Sequence, residues 1–247
     1  MKVVGIIPAR YGSTRMPGKP LMDICGHPMI WWVYQNVRKV KEFHEIYVAT
    51  DDERIQKVCE EFGAKVIMTT SDCSCLIDRV YQVSNIVEAD YYVTVNGDEP
   101  ILESEVIPII IPNFVEHSKP VVRGLVREFR DPVEVIDPGN IKIVIGLGGY
   151  SLYTSRSPIP YPQKTTKFSY KKYVGVELFN RAALEFYVTH DQTEIEKIED
   201  IGSIRFLEYG IRIHYDLVES ESLSIDTPRD IEKIREIIGN RLKGEKR

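Results

Sequence analysis

The chain opens Met1-Lys2-Val3-Val4-Gly5-Ile6-Ile7-Pro8, an apolar run with no polar residue between Val3 and Pro8. A strand that is apolar on both faces needs cover on both, as in the middle of a parallel sheet; a half-exposed antiparallel strand would alternate instead. Lys2 to Pro8 is therefore expected to be a buried strand in a sheet with helices on either side.

The following segments keep to that plan. Met29 to Lys39 carries helical spacing, Glu45 to Ala49 returns to a β-rich apolar run, and Glu53 to Phe62 supplies a second helix behind Asp51 and Asp52. Gly63 ends that helix and Lys65 to Met68 begins a third strand. Asp78 to Val87 reads as the next helix and Tyr91 to Val95 as the next strand, which ends on Asn96-Gly97-Asp98-Glu99-Pro100. The alternation predicts an α/β fold with a mostly parallel, Rossmann-like sheet, whose ligands bind beyond the carboxyl ends of the strands. Arg10, Thr50 and Asp98 fall at those ends.

Beyond Lys119 the rhythm changes. Val121 to Arg127 and Ile141 to Ile145 read as strands around a polar turn, and Ser157 to Lys167 is rich in proline and threonine, so about 121 to 167 is expected to be a β-rich, hairpin-like insertion. Tyr173 to Phe179 and Ile211 to Val218 read as strands, Arg181 to His190, Glu194 to Phe206 and Pro228 to Ile238 as helices, and Gly239 to Arg247 as a charged, frayed tail. The 247 residues, 43% of them hydrophobic, are enough for one large α/β domain with a full core.

Charge narrows the partners. Lysine and arginine total 32 against 37 acids, a formal charge of −5, so the overall field favours neither nucleic acid nor an anionic membrane. No stretch approaches the roughly 20 apolar residues of a membrane span, and the opening strand is too short for a signal region. The expectation is a cytoplasmic protein without membrane insertion. The four cysteines lack the paired CxxC spacing of structural zinc, and Cys73-Ser74-Cys75 reads first as loop or pocket packing.

Three motifs could carry chemistry. Pro8-Ala9-Arg10-Tyr11-Gly12-Ser13-Thr14-Arg15-Met16-Pro17-Gly18-Lys19-Pro20 places three cations and many small residues between a buried strand and a helix, so backbone N–H groups and the cations can converge on a polyphosphate. It is neither a Walker loop nor a Gly-x-Gly-x-x-Gly fingerprint, which disfavours a P-loop kinase or a nicotinamide enzyme. Asp98 follows a strand and can bind Mg²⁺, although Gly-Asp-Glu-Pro by itself also reads as a turn. Asp226, in Ser224-Ile225-Asp226-Thr227-Pro228-Arg229-Asp230, precedes a helix that Pro228 can start, so capping alone could account for it.

Taken together these motifs resemble the CMP-Kdo synthetase family of nucleotidyltransferases, where Kdo is 3-deoxy-manno-octulosonate. The likeness runs from Val3 to Ile234 and includes the Pro-Gly-Lys-Pro ending of the loop and Ser155-Arg156-Ser157-Pro158-Ile159-Pro160, similar to the family's Ser-Arg-x-Pro-Ile-Pro. The resemblance implies Mg²⁺-dependent transfer of CMP from CTP to an acidic sugar, with Asp98 and Asp226 as metal ligands and Lys19 and Arg10 neutralising phosphate charge. It implies nucleotide contacts from Ala9, Arg10, Gly12, Ser13, Arg15, Lys19, Arg79 and Asp98. Asn96, Arg156, Tyr173, Glu177 and Ser203 stand where the family holds its sugar, with Arg156 as a two-pronged clamp on the carboxylate. A homodimer formed through the insertion is also implied.

The departures cluster in the sugar motifs. The family's Ser-Gly-Thr-Glu-Arg is here Cys75-Leu76-Ile77-Asp78-Arg79, its His-x-Gly-Ile-Tyr is Tyr173-Val174-Gly175-Val176-Glu177, and its Glu-Gln pair is Gly202-Ser203. A pocket that has lost those polar groups is expected to hold a different hydroxyl pattern, such as that of a modified Kdo or a related 2-keto-3-deoxy acid. The other function class left open is a nucleotide-binding regulator that keeps phosphate contacts without turnover.

Overall fold

Val3–Ala9 forms β1, with Val3, Ile7 and Ala9 in one core and Val4 and Ile6 in another, so the uninterrupted apolar run serves both faces of the sheet. The structure, a computed structural model, describes residues 1–12, 16–165 and 167–244. After β1 come a short 3-10 helix (Lys19–Leu21), a small hairpin of β2 (Asp23–Ile24) and β3 (His27–Pro28), α1 (Met29–Val37), β4 (Glu45–Thr50), α2 (Glu53–Glu61), β5 (Lys65–Met68), α3 (Leu76–Ser84) and β6 (Tyr91–Val95). The second half holds β7 (Val122–Glu128), α4 (Pro132–Ile136), β8 (Lys142–Ile145), β9 (Ser151–Ser155), β10 (Lys171–Phe179), α5 (Arg181–Thr189), α6 (Glu194–Glu199), α7 (Ile204–Glu208), β11 (Ile213–Leu217) and α8 (Pro228–Gly244).

Among the described residues the main sheet runs β11-β7-β10-β6-β1-β4-β5, with β8 and β9 continuing from β10. β5, β4, β1 and β6 are mutually parallel, and β11 is parallel to β7. Only β10, antiparallel to both β6 and β7, runs against them within that path. The expected mostly parallel α/β sheet is therefore present. Residues of α1 and α2 join the core on one face, and residues of α3 and α5 join the core on the other. The order β4-β1-β6 puts the reversal of strand order between β1 and β6, where an open sheet leaves a crevice at the carboxyl ends.

Two segments differ from the sequence reading. β7 lies inside the main sheet between β10 and β11, so residues 121 to 167 are not one appendage: the hairpin β8–β9 alone extends from the sheet. Its alternating pattern could not reveal which neighbours it would find. The last helix continues to Gly244: Ile231, Ile234 and Ile238 pack with Ile24, Met29, Ile101 and Ile225, and Leu242 packs against this third apolar cluster, so residues 239–244 of the stretch expected to fray are helical, while 245–247 lie outside the described residues. Among the described residues no helix is long and apolar enough to cross a membrane.

Gly124 shows how closely the far edge is packed. Its register partner on β11 is Tyr215, and a Cβ at Gly124 would stand 2.3 Å from that buried ring. Gly124→Ala is expected to lower unfolding free energy by about 1–3 kcal/mol, the usual cost of overpacking; chemical denaturation at constant m would measure it.

Candidate active site

The crevice at the strand ends is a cleft of about 370 Å³. The end of β1 contributes Ala9 and Arg10, the 3-10 helix contributes Lys19, and the end of β6 contributes Asn96, Gly97 and Asp98. Gly97 allows the β6 loop to approach β1, since a Cβ there would lie 2.7 Å from the Pro8 carbonyl oxygen. Gly18, at φ 72°, turns the chain so that its N–H reaches the Tyr11 carbonyl at 2.9 Å and Lys19 starts the short helix facing the cleft.

Lys19 joins parts of the chain that sequence separates widely. Its Nζ is 2.7 Å from Asp98 Oδ2 and 3.7 Å from Asp226 Oδ1, and it also donates to the Ile225 carbonyl. The Ile225 N–H donates in turn to the Asp98 carbonyl at 3.0 Å. The segment before α8 is stitched to the β6 loop further along: Ser222 Oγ donates to Glu99 Oε2 at 2.6 Å, Ser220 Oγ to Glu103 Oε2 at 2.6 Å, and the Glu221 N–H to Glu103 Oε1 at 3.0 Å. Asp230 Oδ2 accepts from the N–H groups of Asp226 and Thr227 and from the Thr227 hydroxyl, which caps α8 and leaves Asp226 lining the cleft.

Glu99 is buried behind Asp98. Burial, and then the Asp98 charge, push its carboxyl up to about 7 against the opposing Ser222 hydrogen bond. Lys172 is a cation that opposes this shift; its ammonium is buried without a hydrogen-bond partner among the described residues, and burial holds its pKa below the ordinary lysine value.

The wall formed by β10 has a different character. Tyr173 and Glu177 line the cleft there, with Thr154, Ser203 and Tyr215 alongside. Glu177 is 5% exposed, and burial pushes its carboxyl up to about 7; the Tyr173 hydroxyl opposes this, and among the described residues no cation offsets the charge. Thr154 Oγ1 and Asn96 Oδ1 are buried without hydrogen-bond partners among the described residues.

Other expected site residues lie elsewhere. Arg156 does not reach into the cleft: Nε donates to the Glu199 carbonyl at 2.6 Å, Nη1 to that of Pro138 at 3.0 Å and Nη2 to that of Asp200 at 2.9 Å. The Glu199 and Asp200 carbonyls are ones left open where α6 ends, so in this arrangement the guanidinium faces backbone oxygens. α6 ends because Asp200 adopts φ 51°, which breaks the single helix expected over 194 to 206 into α6 and α7. Arg79 lines the cleft but is 4% exposed and committed to Asp51, at 3.1 Å, and to the Thr69 hydroxyl. Gly12 is not among the lining residues, and Ser13 and Arg15 lie outside the described residues.

The sequence reading named neither Thr154 nor Tyr215, because a β-strand threonine and tyrosine carry no signal beyond strand propensity. Cys73 and Cys75 also line the cleft; burial pushes both thiols up, and Cys75 Sγ packs 3.2 Å from the Tyr187 hydroxyl. Packing is the role this geometry supports, since a reactive thiol needs a lowered pKa.

Comparison with known proteins agrees with the geometry. A family profile described as cytidylyltransferase matches residues 4–213. A 3-deoxy-manno-octulosonate cytidylyltransferase from Escherichia coli is 36% identical over 241 residues, 98% of each chain. An 8-amino-3,8-dideoxy-manno-octulosonate cytidylyltransferase from Shewanella baltica is 36% identical over 237 residues, covering 94% of this chain and 97% of that one. A CMP:2-keto-3-deoxy-manno-octonic acid synthetase solved with CTP superposes with a TM-score of 0.88 at 36% identity, over 98% of this chain and all of the other.

Glu177 yields a pH test. Folded, it keeps its proton to about 7, whereas its ordinary value is 4.5. The folded state is therefore favoured while Glu177 is protonated, and that advantage is lost as pH rises from about 4.5 through about 7. Glu177→Gln removes the loss, so its stability relative to the parent should rise by roughly 3 kcal/mol between about pH 4.5 and about pH 8. Urea unfolding at both pH values measures this; an unchanged difference would mean that Glu177 ionises at no cost in the fold.

Proposed function

This chain belongs to the 3-deoxy-manno-octulosonate cytidylyltransferase family, and we propose that it transfers CMP from CTP to a Kdo-type acidic sugar with release of pyrophosphate. The observation that carries this reading is the meeting of Lys19, Asp98 and Asp226 at the strand ends, because it joins a phosphate-binding cation to two carboxylates at one place. A regulator without turnover would need neither carboxylate there.

The donor set fits Mg²⁺. Asp98 and Asp226 are hard oxygen donors with side chains 25% and 22% exposed, and Mg²⁺ prefers one or two carboxylates plus water and substrate phosphates over a full protein cage. When bound, the ion supplies charge neutralisation for the triphosphate and polarises the α-phosphoryl group. Arg10 and Lys19 would hold the β- and γ-phosphates, with Lys19 exchanging its carboxylate contacts for phosphate oxygens. The acceptor would lie along the β10 wall with a hydroxyl facing the α-phosphorus. Its oxygen forms the new bond, the bond to the β-bridging oxygen breaks, pyrophosphate leaves with that electron pair, and the hydroxyl proton is released. Positioning and charge neutralisation supply the rate, so no covalent intermediate is required.

The experiment is pyrophosphate release with each of the four NTPs, Mg²⁺ and Kdo or its 8-amino analogue. Release only with CTP is expected, and release with another NTP in its place would overturn the nucleotide assignment. Asp98→Asn should reduce turnover at least about 100-fold with the thermal midpoint within a few degrees of the parent; near-parental turnover would remove Asp98 from the site.

We also propose a homodimer. Leu147 is 97% exposed, and Val133, Ile136, Leu152 and Tyr161, all on or beside the β8–β9 hairpin and α4, are exposed as well. Exposed apolar side chains such as Leu147 and Leu152 on the one hairpin favour burial against a second copy. Leu147→Glu combined with Leu152→Glu is expected to convert a dimer to a monomer in sedimentation; a parent that already sediments as a monomer would overturn this.

A further inference from the structure

The cleft is divided electrically. Arg10 and Lys19 occupy the end formed by β1 and the 3-10 helix, while the β10 wall presents oxygen atoms and, among the described lining residues, no available cation. Arg79 is committed to Asp51 and Thr69, and Arg156, which does not itself line the cleft, to the carbonyls of Glu199, Pro138 and Asp200. On that wall Glu177 is 5% exposed and, among the described residues, makes no ion pair and has the Tyr173 hydroxyl as its one side-chain neighbour of opposing effect; Thr154 is 1% exposed with an unpartnered hydroxyl, and Asn96 Oδ1 is also unpartnered among the described residues. Buried polar atoms without partners are costly, and a cavity that has several of them is shaped to receive them from a ligand.

What kind of group fits follows from an inventory of the wall. Asn96 Oδ1 can only accept, an ionised Glu177 can only accept, and the two hydroxyls can accept as well as donate. A carboxylate or phosphate placed here would face Glu177 with nothing to offset like charge. An ammonium brings three donors and a positive charge, so it satisfies several orphan oxygens and gives the buried carboxyl its missing counter-charge. A neutral sugar hydroxyl brings one donor and leaves Glu177 uncompensated.

Resting on the reading that the chain is a Kdo-type cytidylyltransferase, we propose that its preferred acceptor carries a cationic amino group, received by Glu177 with the Tyr173 and Thr154 hydroxyls beside it. The acidic group of the same acceptor then belongs away from Glu177, since Arg10 and Lys19 are engaged by the CTP phosphates. Relatives named for the hydroxyl acid and for the 8-amino acid are equally similar at 36%, so overall identity does not choose between them and the wall does.

The test compares Kdo with 8-amino-3,8-dideoxy-manno-octulosonate as acceptors for the full-length protein with CTP and Mg²⁺, in the parent and in Glu177→Gln. The expected result is a kcat/KM at least about tenfold higher for the amino acid in the parent, with that preference abolished in Glu177→Gln. The parent comparison stands even where the variant folds poorly. Equal use of the two acids, a preference for Kdo, or a preference that survives in folded Glu177→Gln overturns the inference and leaves the cytidylyltransferase reading intact. If neither acid releases pyrophosphate, calorimetry with CTP present decides separately. Binding of the amino acid at least about tenfold tighter and dependent on Glu177 sustains the inference while refuting turnover of these acceptors; equal or absent binding overturns both.

Discussion

Lys19 holds together two ends of the chain that the fold must join for the cleft to exist. Asp98 closes the fourth parallel strand and Asp226 precedes the last helix, and placing two carboxylates at one site would cost Coulomb energy without a cation between them. The ammonium of Lys19 lies within ion-pair distance of both and also takes the Ile225 carbonyl. Around it, the links from Ser222 to Glu99 and from Ser220 and Glu221 to Glu103 fix the strap that carries Asp226, so the carboxylates are set by main-chain anchoring as well as by charge. Such anchoring is what a site that works by positioning requires.

The sheet explains why the acceptor wall has its own chemistry. β1 and β6 are parallel, and their carboxyl ends give loops at the crevice, the usual supply of phosphate contacts. β10 runs the other way beside β6, so it brings strand side chains to the same crevice, not a loop. The groups it presents, Tyr173 and Glu177, sit on a rigid element with many backbone partners and cannot move away from an unfavourable ligand. Specificity is therefore set on the rigid wall, while Lys19 and Arg10 at the other end can readjust around phosphate.

The sequence disclosed the parallel half of the fold because its strands are short apolar runs, β4 and β6 followed at once by Asp51 and Asn96, and because α2 has a clear cap in Asp52. Asp98 and Asp226 were less legible by themselves: each is also a good turn or capping residue, and only the match of both motifs to one family singled them out. β7 was misplaced since strand pattern gives existence and not neighbours. The placement of Arg156 was not legible because it follows the carbonyls exposed where α6 stops, and that stop depends on a positive φ at Asp200 that the helical pattern did not mark. Nor could pattern show that Glu177 would be enclosed without a cation, as that depends on where Arg79 and Arg156 spend their donors.

The division of charge across the cleft bears on how an acceptor would orient. A zwitterionic acid beside an uncompensated carboxyl gains when its ammonium faces Glu177 and loses from the reverse, because the reversed end meets like charge in a partly dehydrated cleft. A purely anionic acceptor has no end that gains from Glu177. Orientation matters here more than affinity, since only one hydroxyl can face the α-phosphorus in line with the leaving pyrophosphate. The replacement of the family's tyrosine by Glu177 thus changes which molecule is held the right way round, without touching Lys19, Asp98 or Asp226.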